Sequence, residues 1–102
     1  MQFNEYQKEA SSFALASARM DAYLFPGLAG EVGELCSLYA KGVRDGHSDP
    51  AQFPKELGDI LWFVALLAES RGYTLEYIAK ANIEKLASRK ARNTIGGSGD
   101  DR

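Results

Sequence analysis

One cysteine, one histidine and three prolines in 102 residues leave several chemistries without their raw materials. Cys36 stands alone, so neither an internal disulfide nor a cysteine metal cluster is available, as suits a reducing compartment. A Cys-His nucleophile would have to use Cys36 and His47, and Cys36 reads instead as a small buried apolar residue. His47, in a loop, cannot supply the Glu-x-x-His pattern of di-iron bundles, and catalytic zinc would want more histidines or cysteines. The longest unbroken apolar run, Ile60 to Ala68, is too short to cross a bilayer. Met1-Gln2-Phe3-Asn4-Glu5 has neither the basic start nor the apolar stretch of a signal peptide. A net charge of −2 lacks the basic footprint of a nucleic-acid binder and argues against a membrane-surface protein. No glycine-rich loop follows a strand, which removes the P-loop and Rossmann sites. A cytoplasmic protein without nucleic-acid or membrane partners is expected.

What is present is helical. Apolar residues make up 45% of one domain-sized chain, and no segment alternates like a strand. Four helices are expected in an all-α, four-helix-bundle-like protomer. The first runs from Asn4, a plausible N-cap, to about Ala18, with Tyr6, Ala10, Phe13 and Ala14 at helical spacing. The second begins near Pro26 or Gly27 and ends about Val43, followed by a loop rich in glycine, aspartate and Pro50. The third spans roughly Phe53 to Arg71, with Pro54 in its first turn, and Gly72 stops it. Thr74 caps the fourth, which reaches about Ala91, and Glu76 lies early in it, where the helix dipole favours acids. Residues 1–95 form the expected domain. Residues 96–102, Gly-Gly-Ser-Gly-Asp-Asp-Arg, read from composition alone as a flexible tail. The third helix is apolar almost all round, which predicts a homo-oligomer, dimer or tetramer, with that helix inside.

One short phrase occurs twice: Glu31-Val32-Gly33-Glu34-Leu35 and Glu56-Leu57-Gly58-Asp59-Ile60. Residues three apart share a helix face, so each copy aims two carboxylates one way, and two packed helices could converge four. Singly, an acidic pair is usually a solvated face, but position argues otherwise here. Glu31 aligns with Leu28, Leu35 and Leu38; Glu56 with Ile60, Phe63 and Leu67; Asp59 with Phe63 and Leu66; Glu34 lies at the stripe's edge. Acids on a core-facing stripe cost several kcal/mol each unless paired or metal-bound. Lys41, two turns after Glu34, can neutralise one of them, and no other cation is well placed. Oxygen-only clusters suit magnesium or manganese, and magnesium usually brings a phosphate-bearing substrate. Gly33 and Gly58, each costing about 1 kcal/mol in a helix, suggest close backbone approach or room for a ligand.

The string Gly27-Leu-Ala-Gly-Glu31-Val-Gly-Glu34-Leu, then Lys41, then Glu56-Leu-Gly-Asp59-Ile, resembles the MazG-like all-α nucleoside triphosphate pyrophosphohydrolases. Ala81-Asn82-Ile-Glu-Lys85-Leu, Arg89-Lys90-Ala-Arg92 and the Gly97-Ser-Gly-Asp100-Asp-Arg102 ending extend the match. The resemblance implies magnesium-dependent cleavage between the α- and β-phosphates, giving a nucleoside monophosphate and pyrophosphate. It implies Glu31, Glu34, Glu56 and Asp59 as metal ligands, and Lys41, Asn82, Lys85 and Arg89 as contacts to phosphate or the metal shell. Asp100 and Arg102 then belong to a tail that folds over the nucleotide, reversing the compositional reading. Glu34 is the candidate to accept a proton from the attacking water. Phe3, Tyr6, Phe13, Tyr23 or Trp62 would line a slot for base and sugar, although each reads first as ordinary core. A dUTP or dCTP hydrolase, a phosphoribosyl-ATP pyrophosphohydrolase and a silent oligomerisation module are the alternatives.

Overall fold

The computed structural model describes all 102 residues as four α-helices and one 3-10 turn, with no strand: α1 (Phe3–Ser12), a 3-10 turn (Ala16–Arg19), α2 (Asp21–Asp45), α3 (Gln52–Ser70) and α4 (Leu75–Ala91). The all-α architecture is as expected, and α3 and α4 begin and end within one residue of their predicted limits.

The first two helices differ from expectation. Helix α1 stops at Ser12 instead of Ala18, because Arg19 folds back and satisfies its open C-terminal end: Nη2 donates to the Ser11 carbonyl at 2.7 Å and Nη1 to Ser11 Oγ at 3.0 Å. Tyr6 and Ala10 therefore pack against the core, while Phe13, beyond the break, is 77% exposed. Asn4 does not cap α1; Gln2 holds that position without a side-chain bond. Its Oδ1 accepts from the backbone N–H of Glu76 at 3.0 Å, capping α4 alongside Thr74, whose Oγ1 accepts from Tyr77 N–H. Helix α2 starts at Asp21, so Pro26 lies in its interior rather than at its start. The turn before the proline is held from outside by two Arg71–Asp21 hydrogen bonds of 3.1 Å each.

The centre of the bundle is α3. Phe63, Ala65, Leu66 and Ala68 are buried between α1 and α2, and Trp62 Nε1 donates to the Ala10 carbonyl at 3.0 Å. Buried Gln7 joins three elements: its Nε2 donates to the Ala65 and Tyr73 carbonyls, and its Oε1 accepts from Leu75 N–H. A buried amide whose partners are all present fixes one arrangement of α1, α3 and α4. Helix α2 packs tightly on α3 at Gly27, where a Cβ would lie 2.6 Å from Cζ of Phe63. Gly33 and Gly58, the positions expected to permit close approach or leave room for a ligand, have nothing within 4 Å of a built Cβ.

The chain covers little of its own apolar surface. Its radius of gyration is 16.5 Å, against about 13 Å for a compact domain of this length. The exposed surface is not the one expected, because α1 and α2 already cover most of α3, leaving Leu57 as its main exposed apolar residue. Much of it lies on α2, where Phe25, Ala29, Val32, Cys36, Tyr39 and Val43, all exposed, alternate at spacings of four and three; Tyr77, Ile83 and Leu86 of α4 are exposed as well. That spacing makes a continuous uncharged seam along one side of a helix, of the kind that pairs with another helix. Cys36 belongs to this seam and is exposed, not buried as expected. No helix is long and apolar enough to cross a membrane.

Candidate active site

The two copies of the repeated phrase face each other across the α2–α3 contact. One carboxylate oxygen from each of Glu31, Glu56 and Asp59 lies within 4.8 Å of the other two. Glu31 and Glu56 are half-buried and Asp59 is exposed, so Asp59 sits at the mouth of the cluster and not on the core stripe its spacing suggested. Glu34, exposed as its edge position predicted, stands beside the trio and close enough to share a hydrogen with Glu31 or Glu56.

These acids are uncompensated. The chain's ion pairs are Arg19–Glu69, Arg44–Asp45, Arg71–Asp21, Lys85–Asp100 and Arg89–Asp100, and none involves them. Oε2 of Glu31 and Oε2 of Glu56 are buried and accept no hydrogen bond. Desolvation raises the pKa of both glutamates, and the charges of Glu34 and Asp59 raise them further. Three or four convergent carboxylates with two empty buried oxygens fit a hard divalent cation. The span of up to 4.8 Å lies between the separations of opposite ligands on one ion, about 4.2 Å for magnesium and about 5 Å for calcium. An all-oxygen donor set disfavours zinc or copper.

Beside the acids opens a cleft of about 300 Å³ lined by Glu34, Ser37, Leu38, Lys41 and Glu56. Lys41 is the cation of that cleft, as its spacing from Glu34 foretold. Ser37 was missed, although it stands three residues after Glu34 and four before Lys41 on one face. Tyr6 packs against the core, as its helical spacing implied. Burial and the charge of Asp59 raise its pKa, which keeps the phenol protonated and places α1 at the edge of the acidic cluster. Of the other aromatic candidates, Phe3 and Trp62 pack into the core, Tyr23 stacks on Phe63 with centroids 5.8 Å apart, and Phe13 faces outward.

The remaining residues lie elsewhere in the protomer. Helix α4 packs on α1 and α3, and none of its residues lines the acidic cleft. Asn82 and Lys85 share a shallow surface depression with Tyr77, Ile78 and Ala81. Arg89, only 6% exposed, holds the tail by donating from Nη2 to the backbone carbonyl and carboxylate of Asp100. The tail is a folded turn. Asn93 takes the left-handed conformation that ends α4 (φ 57°), and Arg102 donates to the carbonyls of Thr94, Ile95, Gly96 and Gly99.

An all-helical chain that brings Glu-x-x-Glu and Glu-x-x-Asp together around one point carries an oxygen-only donor set of the kind that suits a divalent cation. A family model of the MazG nucleotide pyrophosphohydrolase domain matches residues 20–93, and the chain belongs to that family. It is also similar to the Gene 37 protein of Mycobacterium phage L5, at 36% identity over 114 aligned positions that cover the whole of both chains. No solved structure matches it significantly.

Proposed function

We propose that the protein is a magnesium-dependent nucleoside triphosphate pyrophosphohydrolase that cleaves (d)NTPs between the α- and β-phosphates, in a cytoplasmic house-cleaning role. The observation that supports this most is the pair of buried, unpartnered oxygens on Glu31 and Glu56 beside Asp59. These three, with Glu34, would hold the ion. When bound, the ion supplies charge neutralisation for the triphosphate and makes a water more acidic at neutral pH.

The chain's own groups do the rest. Glu34, outside the tight trio, accepts the proton as water adds across the α–β anhydride and the bridging bond breaks, its electron pair leaving with pyrophosphate. Lys41, across the cleft from Glu56, stabilises charge on the phosphates. Asn82, Lys85, Arg89 and Arg102 are proposed as substrate contacts reaching the nucleotide from a second copy, with Asp100 beside them in the tail, because their own protomer keeps them out of its cleft. A panel of dNTPs, NTPs and phosphoribosyl-ATP, run with magnesium, calcium and EDTA, tests the reading. Pyrophosphate release that requires magnesium is expected, and its absence with every substrate overturns it. The substrate hydrolysed fastest separates a broad house-cleaning enzyme from a dUTP, dCTP or phosphoribosyl-ATP hydrolase.

The seam on α2 supports the homo-oligomer. Light scattering should give at least twice the 11.2 kDa chain mass, and Tyr39→Glu, which puts a charge into the seam, should shift the protein toward monomer. A wild-type monomer at tens of micromolar would remove this part of the proposal.

A further inference from the structure

The tail presents its own anion to the cations of α4. The Asp100 carboxylate accepts from Lys85 Nζ at 2.8 Å and from Arg89 Nη2 at 3.4 Å. Arg89 is buried, and its Nε has no partner. A carboxylate has two oxygens to offer, whereas a phosphate group has three and an arginine fork matches it. The cations are therefore engaged but not saturated. Asp100 itself is 78% exposed, so its pairing with them is screened and cheaply exchanged.

Arg89 Nη2 also donates to the Asp100 backbone carbonyl, and the rest of the tail does not depend on the Asp100 side chain. Arg102 is caged by four carbonyls between residues 94 and 99, and Arg92 Nη2 donates to the Arg102 carbonyl at 2.9 Å. Gly97 and Gly99 adopt positive φ values of 98° and 88°, which only a residue without a Cβ takes easily. A prebuilt turn thus carries one exposed carboxylate onto two cations while its fold is secured by other bonds.

We infer that Lys85 and Arg89 form an oxyanion seat that Asp100 fills as an internal surrogate, and that a polyphosphate group must displace Asp100 to occupy it. The inference rests on the nucleotide reading only for the identity of the natural ligand. The seat is closed when empty and opens by competition between anions, so the tail restrains substrate binding.

Inorganic tripolyphosphate in EDTA, titrated calorimetrically into the full chain, tests the seat without catalysis or metal. Asp100→Asn should bind it about fivefold more tightly than wild type, the equivalent of one partly exposed ion pair removed from competition. Asp101→Asn removes the same charge one residue away, from a side chain with no partner, and should change affinity much less. Lys85→Met should weaken binding. Hydrogen exchange in the wild-type chain gives a reading free of any folding defect: amides 99–101 should exchange faster as tripolyphosphate binds. Equal or weaker binding by Asp100→Asn, or a tail unchanged when tripolyphosphate is bound, overturns the inference. If the seat behaves as expected but no nucleotide is hydrolysed, the hydrolase reading fails and the seat stands. If nucleotides are cleaved and Asp100→Asn has no effect, the seat alone fails.

Discussion

Glu56→Gln is expected to lower pyrophosphohydrolase activity by on the order of 10²–10³-fold while leaving the fold intact or making it more heat-resistant. The two effects have one origin. Glu56 Oε2 is buried with no donor, next to Glu34 and Asp59, and its raised pKa records how unfavourable the charge is there without a cation. Glutamine keeps the shape and removes the charge. A divalent ion holding a triphosphate contributes several kcal/mol to the transition state, each 1.36 kcal/mol being tenfold in rate, so weakening the ion's seat produces a loss of that order. Asp59→Asn should behave alike in activity with a smaller change in melting temperature, because Asp59 is exposed. Glu9→Gln, on the exposed side of α1, serves as the control and should change neither. The measurements are initial rates with magnesium and the melting temperature in EDTA. Full activity in Glu56→Gln or Asp59→Asn would end the metal-site reading, and lost activity with a collapsed melting curve would make Glu56 structural.

Helices α3 and α4 were legible to within a residue because local chemistry ends them: Gly72 at φ 79° stops one and Thr74 caps the next. The break after Ser12 was not, since Ala14, Ala16 and Ala18 would continue a helix and the stop comes from Arg19, outside it. The start of α2 was misplaced for the same kind of reason. Pro26 is a local signal for a first turn, whereas Asp21 is held by Arg71, fifty residues on. Convergence of Glu31, Glu56 and Asp59 was readable because each helix is regular and its register is set by leucines. Asp59 was assigned a core stripe and is exposed instead, since a stripe says which face a residue is on but not how far the partner helix extends over it. Of the two meanings open for Gly33 and Gly58, close approach or room, the packing shows room, and the close approach falls at Gly27 against Phe63.

The metal-free protein should become more stable as pH falls toward the ordinary glutamate range, and magnesium should reverse that trend. Glu31 and Glu56 have pKa values in the folded chain above the ordinary glutamate value, through desolvation first and neighbouring acids second. The ordinary value near 4.3 describes the unfolded chain. Between that value and the raised ones, the folded state binds protons that the unfolded state releases, so stability is lost as pH rises through the raised values and is fully present below about 4.3. Asp45 and Asp100, lowered by Arg44 and by Lys85 with Arg89, contribute the opposite slope, but only below the ordinary aspartate range. The window above about 4.5 therefore belongs to the glutamates. A cation binds their ionised forms, so protons and metal compete. In magnesium at about 100 times its dissociation constant, the melting temperature near neutral pH should rise by on the order of 10 °C, with the gain shrinking as pH falls. Glu31→Gln should flatten both the metal-free slope and the magnesium response. Melting curves from about pH 5 to about pH 7.5, with EDTA or magnesium, read both. A melting temperature independent of pH in EDTA and unmoved by magnesium would mean that these carboxylates are solvated in solution and hold no ion. Without an ion there, the repeated acidic phrase would have no part in phosphate chemistry.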